Sequence, residues 1–209
     1  MSRADNTWDR RYAQPEYLFG VEPNAFLARQ ASRLSAGGRA LAVADGEGRN
    51  GVWLAGQGLS VLSIDSSPVA QAKARRLAAE RGVEIDLAEV DLGDWVWPEA
   101  AFDVVAAIFI QFAPPPLRSR LFAGMCATLK PGGLLLLQGY RPEQLAYRTG
   151  GPPIAENLYS EDMLRDAFSG LEILELRSHD SPIHEGQGHD GMSALIDLVA
   201  RRPLRPAER

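Results

Sequence analysis

The run Ala40-Leu-Ala-Val-Ala-Asp45-Gly46-Glu47-Gly48-Arg49-Asn50-Gly51 carries an apolar stretch into a glycine-rich turn and then into an amphipathic stretch. Asp65 lies fourteen residues past Gly51, at the end of a second apolar run that begins at Val61. A strand, a glycine turn, a helix and a second strand closed by a carboxylate form a site for a nucleoside cofactor. The glycines let the backbone approach the ligand, and the carboxylate accepts from ribose hydroxyls.

Gly46, Gly48 and Gly51 also spell G-x-G-x-x-G, which in a dinucleotide site sets a pyrophosphate on a helix N-terminus. Glu47 would turn a full negative charge toward that phosphate, with Arg49 able to offset it. An acidic turn holding Asp45 and Glu47 suits a cofactor with an ammonium and a sulfonium and no phosphate, as in S-adenosylmethionine. A nicotinamide cofactor is the competing ligand, and a purely structural turn is the competing role.

Other residues with chemical potential fall in three stretches. Trp8, Tyr12, Tyr17 and Phe19 make the N-terminal residues 1–24 an aromatic lid segment, and ring faces suit a sulfonium. All three histidines, His179, His184 and His189, are spaced five apart within residues 178–192, each followed by an acid: Asp180, Glu185 and Asp190. These groups are open to substrate binding, to base catalysis, to a metal, or to a solvated loop. The spacing offers no fixed element to aim metal ligands, so no metal is expected. The third stretch follows Gln138 and holds Tyr140, Arg141, Tyr147 and Arg148; Gln111 points into the same region, and Arg148 is a candidate to hold an anionic substrate.

The elements that position these groups alternate. Residues 22–35 read as a helix, 39–44 as a strand, 50–57 as the helix after the turn and 60–64 as a second strand. Ser67 caps a helix opened by Pro68 and closed near Gly82. Val83 to Val90 is a strand ending at Asp91, and Phe102 to Ile108 is a continuous apolar run expected at the sheet centre. Leu117 to Leu129 reads as a helix, Leu134 to Gln138 as a strand and 160–169 as a short helix. Leu171 to Arg177 and Ser193 to Ala200 are strand-like, with only residues 178–192 between them, read as a loop. Two neighbouring strands without a crossover helix run antiparallel. The expected fold is therefore α/β: a Rossmann-like, seven-stranded, mostly parallel sheet, helices on both faces, and an antiparallel C-terminal strand.

The 209 residues, 45% hydrophobic and 23% charged, suit one globular domain over 1–209. A net charge of −5 without a basic stripe argues against nucleic acid. No apolar run approaches membrane-spanning length and the first residues lack a signal-peptide core, so no membrane partner and a cytoplasmic location are expected. The single Cys126 fits a reducing compartment. A monomer or homodimer is expected.

Taken together, these features resemble the class I S-adenosylmethionine-dependent methyltransferases. Within that class the chain is similar to tellurite-resistance-type and thiopurine-methyltransferase-like small-molecule enzymes, through Trp8-Asp-Arg-Arg-Tyr12, Tyr17-Leu-Phe-Gly20-Val-Glu-Pro23-Asn24, Asp45-Gly-Glu-Gly-Arg-Asn50 and Leu129-Lys-Pro-Gly-Gly133. The resemblance implies S-adenosylmethionine as cofactor and methyl transfer to a small molecule, with a thiol or a chalcogen oxyanion as candidate acceptors. It implies cofactor contacts at Asp45, Gly46, Gly48, Asn50, Asp65, Ser66, Asp91, Leu92, Ile108 and Phe109. Residue type and position make Tyr17, Gln111, Tyr140 and Arg148 the substrate-side candidates, and the resemblance of Glu185-Gly-Gln-Gly-His189-Asp-Gly191 to the equivalent loop of those enzymes favours His189 and Glu185 over His179 as the catalytic pair. One departure stands out: Ala42 and Ala44 occupy positions where the class usually has an acid and the first glycine. That leaves a nicotinamide-dependent oxidoreductase and a degenerate, non-catalytic S-adenosylmethionine-binding protein as alternatives.

Overall fold

In a computed structural model that describes residues 7–204, seven strands form one sheet in the order β3-β2-β1-β4-β5-β7-β6. Strands β1 (Arg39–Val43), β2 (Ser60–Asp65), β3 (Asp86–Glu89), β4 (Phe102–Ile108) and β5 (Leu129–Tyr140) pair in parallel. Strand β7 (His189–Arg201) enters antiparallel between β5 and β6 (Glu172–Glu185). The helices are α1 (Thr7–Tyr12), α2 (Ala25–Arg29), α3 (Arg49–Gly56), α4 (Pro68–Arg81), α5 (Pro115–Thr128), α6 (Gln144–Tyr147) and α7 (Glu161–Ala167).

Alternation of side chains sorts the central strands between two cores. Leu41, Val105, Ala107, Leu135 and Leu137 face a layer with Leu121, Phe122 and Met125 of α5 and Leu164 of α7. Ala40, Val104, Ala106, Leu134 and Leu136 face the layer of Phe26 and Leu27 from α2 and Leu54 from α3. Both faces of these strands are covered, which is why their sequence is continuously apolar. Ser67 accepts from the Ala70 amide at the start of α4, and Gly82 ends that helix at φ 66°.

Several boundaries differ from expectation. The helix expected over 22–35 is five residues of α2 and a short 3₁₀ turn, because the Gln30 amide closes on Leu27 O and tightens the chain. Strand β3 begins only at Asp86, since the Val83 amide is spent on Ala78 O at the end of α4. Strand β5 begins at Leu129, before the Lys130-Pro-Gly-Gly133 segment, with the register shifting opposite Phe102 and Val104.

The largest correction concerns residues 178–192. They are not a loop: β6 and β7 stay paired from Glu172↔Arg201 out to Glu185↔His189, and only residues 186–188 turn. The tip docks on the N-terminal segment. The Gly188 amide donates to Leu18 O at 3.0 Å, and a Cβ at Gly186 or Gly188 would lie 2.4 Å from Leu18 O or 2.3 Å from Phe19 Cε1. Glycine is required there for close approach as well as for turning.

Candidate active site

At the carboxyl ends of β1, β2 and β4, where open α/β sheets bind ligands, lies a cavity of about 390 Å³. That volume falls within the roughly 300–1,000 Å³ of small-molecule sites. The wall includes Asp45, Gly46, Asn50, Asp65, Ser66, Asp91, Leu92, Ile108, Phe109, Gln111, Tyr140 and His189. Trp8, Arg11, Tyr12 and Phe19 of the N-terminal segment roof it, with Pro152, Pro153 and Gly188 beside them. The described part of the expected lid thus lies over the cavity; residues 1–6 fall outside the described residues.

The three glycines of the turn serve three purposes. Gly46, at φ 57°, lies under the lid, and a Cβ there would come within 2.6 Å of Tyr12 Oη. Gly48 does not line the cavity: its Cβ would strike Ala74 at 2.5 Å, so it permits close packing of α3 on α4. Gly51 leaves room for Asp45 Oδ2, which would be 2.5 Å from its Cβ. That carboxylate accepts from the Gly51 amide at 3.0 Å and from Ser63 Oγ at 2.9 Å. The Ala42 methyl borders the same space, so Asp45 reaches the place beside Ala42 that an acid on β1 would occupy. Burial pushes its carboxyl up to about 7, against the hydrogen bonds from Ser63 and Gly51. Ala44 takes φ 48°, the left-handed region that explains a glycine preference there.

Asp65 accepts at one oxygen from the Gly46 amide and at the other from the Ser67 amide, both at 2.9 Å. With the Ser66 amide also acting on it, the carboxylate still has acceptor capacity left for a ligand. Burial raises its pKa despite those amides. Asp91 is exposed at the rim and accepts from the Gly93 amide at 2.8 Å. Asn50 Oδ1 takes the Asn24 amide at 2.9 Å.

Glu47 does not face the cavity. It is 3% exposed, pairs with Lys73 Nζ at 2.6 Å and accepts from the Leu18 amide at 2.7 Å, so the acid between the glycines anchors the lid. Tyr17 is likewise spent on α4: its hydroxyl donates to Lys73 O and accepts from Arg76 Nε, both at 3.2 Å. Gln111 lines the cavity, but its amide bonds the backbone of Tyr140 and Asn157. Arg148 is exposed and lies outside the cavity wall. Arg141 pairs with Asp180 and bonds Leu195 O. Tyr17 and Arg148 thus lie outside the cavity wall, and Gln111 in that wall braces the backbone.

The histidines diverge. His179 joins Ser181 and the fully buried Asp197, His184 is exposed beside Asp190, and His189 enters the cavity. Among the described residues no three His, Cys, Asp or Glu side chains converge for a metal ion. The His189 ring is 4.4 Å from the rings of both Phe19 and Phe109 and 5.7 Å from that of Tyr140. Its Nδ1 is buried without a hydrogen bond, 3.6 Å from Glu185 Oε2. Burial lowers its pKa, which favours the neutral imidazole. Tyr140 Oη is also buried and unpartnered. Phe109, at φ 55°, holds its ring 4.6 Å from Tyr140 in a backbone conformation rare for aromatic residues. Glu185 is outside the cavity wall; its oxygens take Arg49 Nη2 at 2.6 Å and Asn24 Nδ2 at 2.9 Å. Burial opposes its charge, yet the bond and charge of the Arg49 guanidinium help hold the carboxyl at about 2, so it is no proton acceptor near neutral pH. Sequence reasoning missed this convergence of Asn24, Arg49 and Glu185, which no local pattern signals.

The family described as a methyltransferase domain matches residues 40–133. A carboxy-S-adenosyl-L-methionine synthase of Geobacter metallireducens is 32% identical over 122 residues, covering 56% of this chain and 48% of its own length. The chain thus spans about half of that relative. A thiopurine S-methyltransferase of Pseudomonas fluorescens is 26% identical across 97% of this chain and 98% of its own. TehB from Haemophilus influenzae shares the fold with a TM-score of 0.70 at 16% identity, over 93% of this chain and 65% of that one. A methyltransferase-domain match over residues 40–133, and a sheet order with a reversed β7, are what the chain has in common with S-adenosylmethionine-dependent methyltransferases.

Proposed function

We propose that the chain binds S-adenosylmethionine in this cavity and methylates a small, largely apolar acceptor that must lose a proton, a thiol before a chalcogen oxyanion. The observation that carries this is His189: a buried imidazole on the cavity wall with no hydrogen bond at Nδ1, in surroundings that favour its neutral form. The donor set fits the cofactor. Asp65 and Asp91 offer acceptors for ribose and adenine, Gly46 leaves the turn bare, and Asp45 with the rings of Trp8, Tyr12 and Phe19 suits a cation.

When bound, S-adenosylmethionine supplies an electrophilic methyl carbon on a sulfonium whose bonding pair stays with sulfur. The lid and hairpin tip exclude water and align the acceptor, which supplies much of the rate of an in-line displacement. With Nδ1 buried, His189 offers Nε2 to the acceptor and receives its proton, while the acceptor's freed pair forms the new bond to carbon. The proton passes to water after product leaves.

The choice of acceptor rests on charge. Arg49 is paired with Glu185, and Arg141 and Arg148 are outside the cavity wall. Arg11 of the lid, 4.4 Å over Trp8, is the remaining cation of the cavity wall and is stacked on a ring. The rings around His189 are Phe19, Phe109 and Tyr140, which favour a soft, uncharged group over an oxyanion. The sulfur specificity named for the Pseudomonas relative supports the same choice.

The test is calorimetry with S-adenosylhomocysteine and NAD, then a panel of thiols and tellurite with wild type and His189→Ala. Heat with S-adenosylhomocysteine and none with NAD is expected. Transfer to the true acceptor should fall by ~10²–10⁴-fold in the variant, with cofactor affinity retained. NAD binding alone would overturn the cofactor assignment. Turnover of any acceptor excludes a non-catalytic binding protein, and wild-type rates in His189→Ala would remove the base.

A further inference from the structure

We propose that Glu185 and Arg49 are positioning residues for His189: a charge-balanced clamp holds a carboxylate oxygen behind Nδ1, so that the ring is aimed at the acceptor and its protonated form is stabilised. This rests on the reading of His189 as the base.

The geometry is specific. Glu185 ends β6 and His189 begins β7, so the carboxylate and the imidazole stand opposite each other at the last pair of the hairpin. Arg49, the first residue of α3, reaches Glu185 Oε2 at 2.6 Å; Asn24, the cap of α2, reaches Oε1 at 2.9 Å. Asn24 Nδ2 also donates to Gln138 Oε1 at 2.7 Å on β5. Glu185 is thereby fixed from the hairpin, the glycine-turn helix and the sheet. The side chains of Glu185, Arg49 and His189 are each no more than 10% exposed.

The 3.6 Å gap between Glu185 Oε2 and His189 Nδ1 is too long for a bond to the resting ring. A proton on Nε2 makes Nδ1–H part of an imidazolium, and a small closure then forms a charge-assisted bond. Charged or titratable groups facing the ring are Glu185 from β6, Arg49 from α3, Arg11 from α1 and Tyr140 from β5. Of these, Glu185 favours the protonated ring, whereas Arg49 and Arg11 oppose it. Arg49 keeps Glu185 ionised and prevents the ring from being permanently charged, a state in which it could accept no proton.

The experiment combines imidazole nitrogen NMR with pH–rate profiles in the full chain. In Glu185→Gln the His189 ring should titrate at lower pH than in wild type, and the acid limb of kcat should move the same way. The plateau kcat should fall by about 10²-fold, the cost of a mispositioned group, with little change in S-adenosylhomocysteine affinity. Glu185→Asp should recover part of the rate, and it supplies the same readouts if the Gln variant fails to fold. Arg49→Met should move the His189 titration to higher pH, a shift read by NMR whether or not the cofactor binds. A Glu185→Gln protein with lower Tm but an unmoved His189 titration and acid limb would show that Glu185 is merely structural. Wild-type turnover in His189→Ala would instead remove the base reading, while the NMR arm still reports on the clamp.

Discussion

Replacing Lys73 by Met should open the lid more than it unfolds the domain. Lys73 Nζ is 2.6 Å from Glu47 Oε1 and 2.6 Å from Glu16 O, and Glu47 Oε2 takes the Leu18 amide at 2.7 Å. The two side chains are 10% and 3% exposed. With the ammonium gone and everything else fixed, Glu47 is a buried carboxylate held by one amide, a loss of about 3–5 kcal/mol. Lifting residues 16–20 lets water reach it. That movement costs a few hydrogen bonds at about 1 kcal/mol each, namely Leu18 N to Glu47, Gly188 N to Leu18 O and Tyr17 Oη to Lys73 O. It also uncovers the half-buried Phe19, at about 1.5–3 kcal/mol for complete exposure. The two routes cost comparable amounts, so a substantial fraction of the molecules opens locally. Hydrogen exchange at residues 16–20 should accelerate strongly while the sheet keeps its protection. If about 3 kcal/mol of lid closure is lost, S-adenosylhomocysteine should bind ~10²-fold more weakly by calorimetry. Glu47→Gln combined with Lys73→Met removes both charges and should recover most of the affinity, because no unpaired ion remains. Wild-type exchange at 16–20 with wild-type affinity in Lys73→Met, or a double variant as weak as the single, would refute the latch.

Three further outcomes can be measured on the same protein. Asp65→Ala should weaken S-adenosylhomocysteine by about 1.5–3 kcal/mol by calorimetry, the range for hydrogen bonds to a charged group. Ala44→Gly should raise stability by up to about 1 kcal/mol in denaturant titration, because relief of a left-handed alanine competes with added chain entropy in the unfolded state. Asp45 is pushed up to about 7 from 3.8, so in the native state it keeps a proton that the unfolded chain releases at lower pH. Its contribution to stability is full below about pH 4 and is lost as pH rises through about 7; the apo Asp45→Asn variant should lack that decline in urea midpoints across this window.

What was legible in the sequence was local or periodic. Val104 to Ile108 is apolar throughout because helices cover both faces, and Gly82 and Ser67 mark the ends of α4. Asp65 reaches the cavity because a strand of this length after a glycine turn ends at the sheet's carboxyl edge. What failed was the direction of side chains that meet partners far along the chain. Glu47 looked like a ligand-facing acid, yet Lys73 and the Leu18 amide turn it toward the lid. Arg148 sat in a long loop of the right kind, but it ends α6 in a left-handed conformation and stays exposed.

The histidine stretch shows why such errors arise. Gly186, Gly188 and Gly191 weaken every local strand signal, so residues 178–192 read as a loop with three equivalent histidines. In the paired hairpin, five residues along β6 is an odd step, and successive odd steps land on opposite faces. His179 is therefore drawn to Asp197 while His184 stays in solvent, and the turn then returns His189 beside Glu185. The glycines that hid the strands are the ones that let the tip lie against Leu18 and Phe19. A substitution at Gly188 therefore acts on the roof of the cavity and on His189 together, so lid closure and the placing of the proposed base are one structural event.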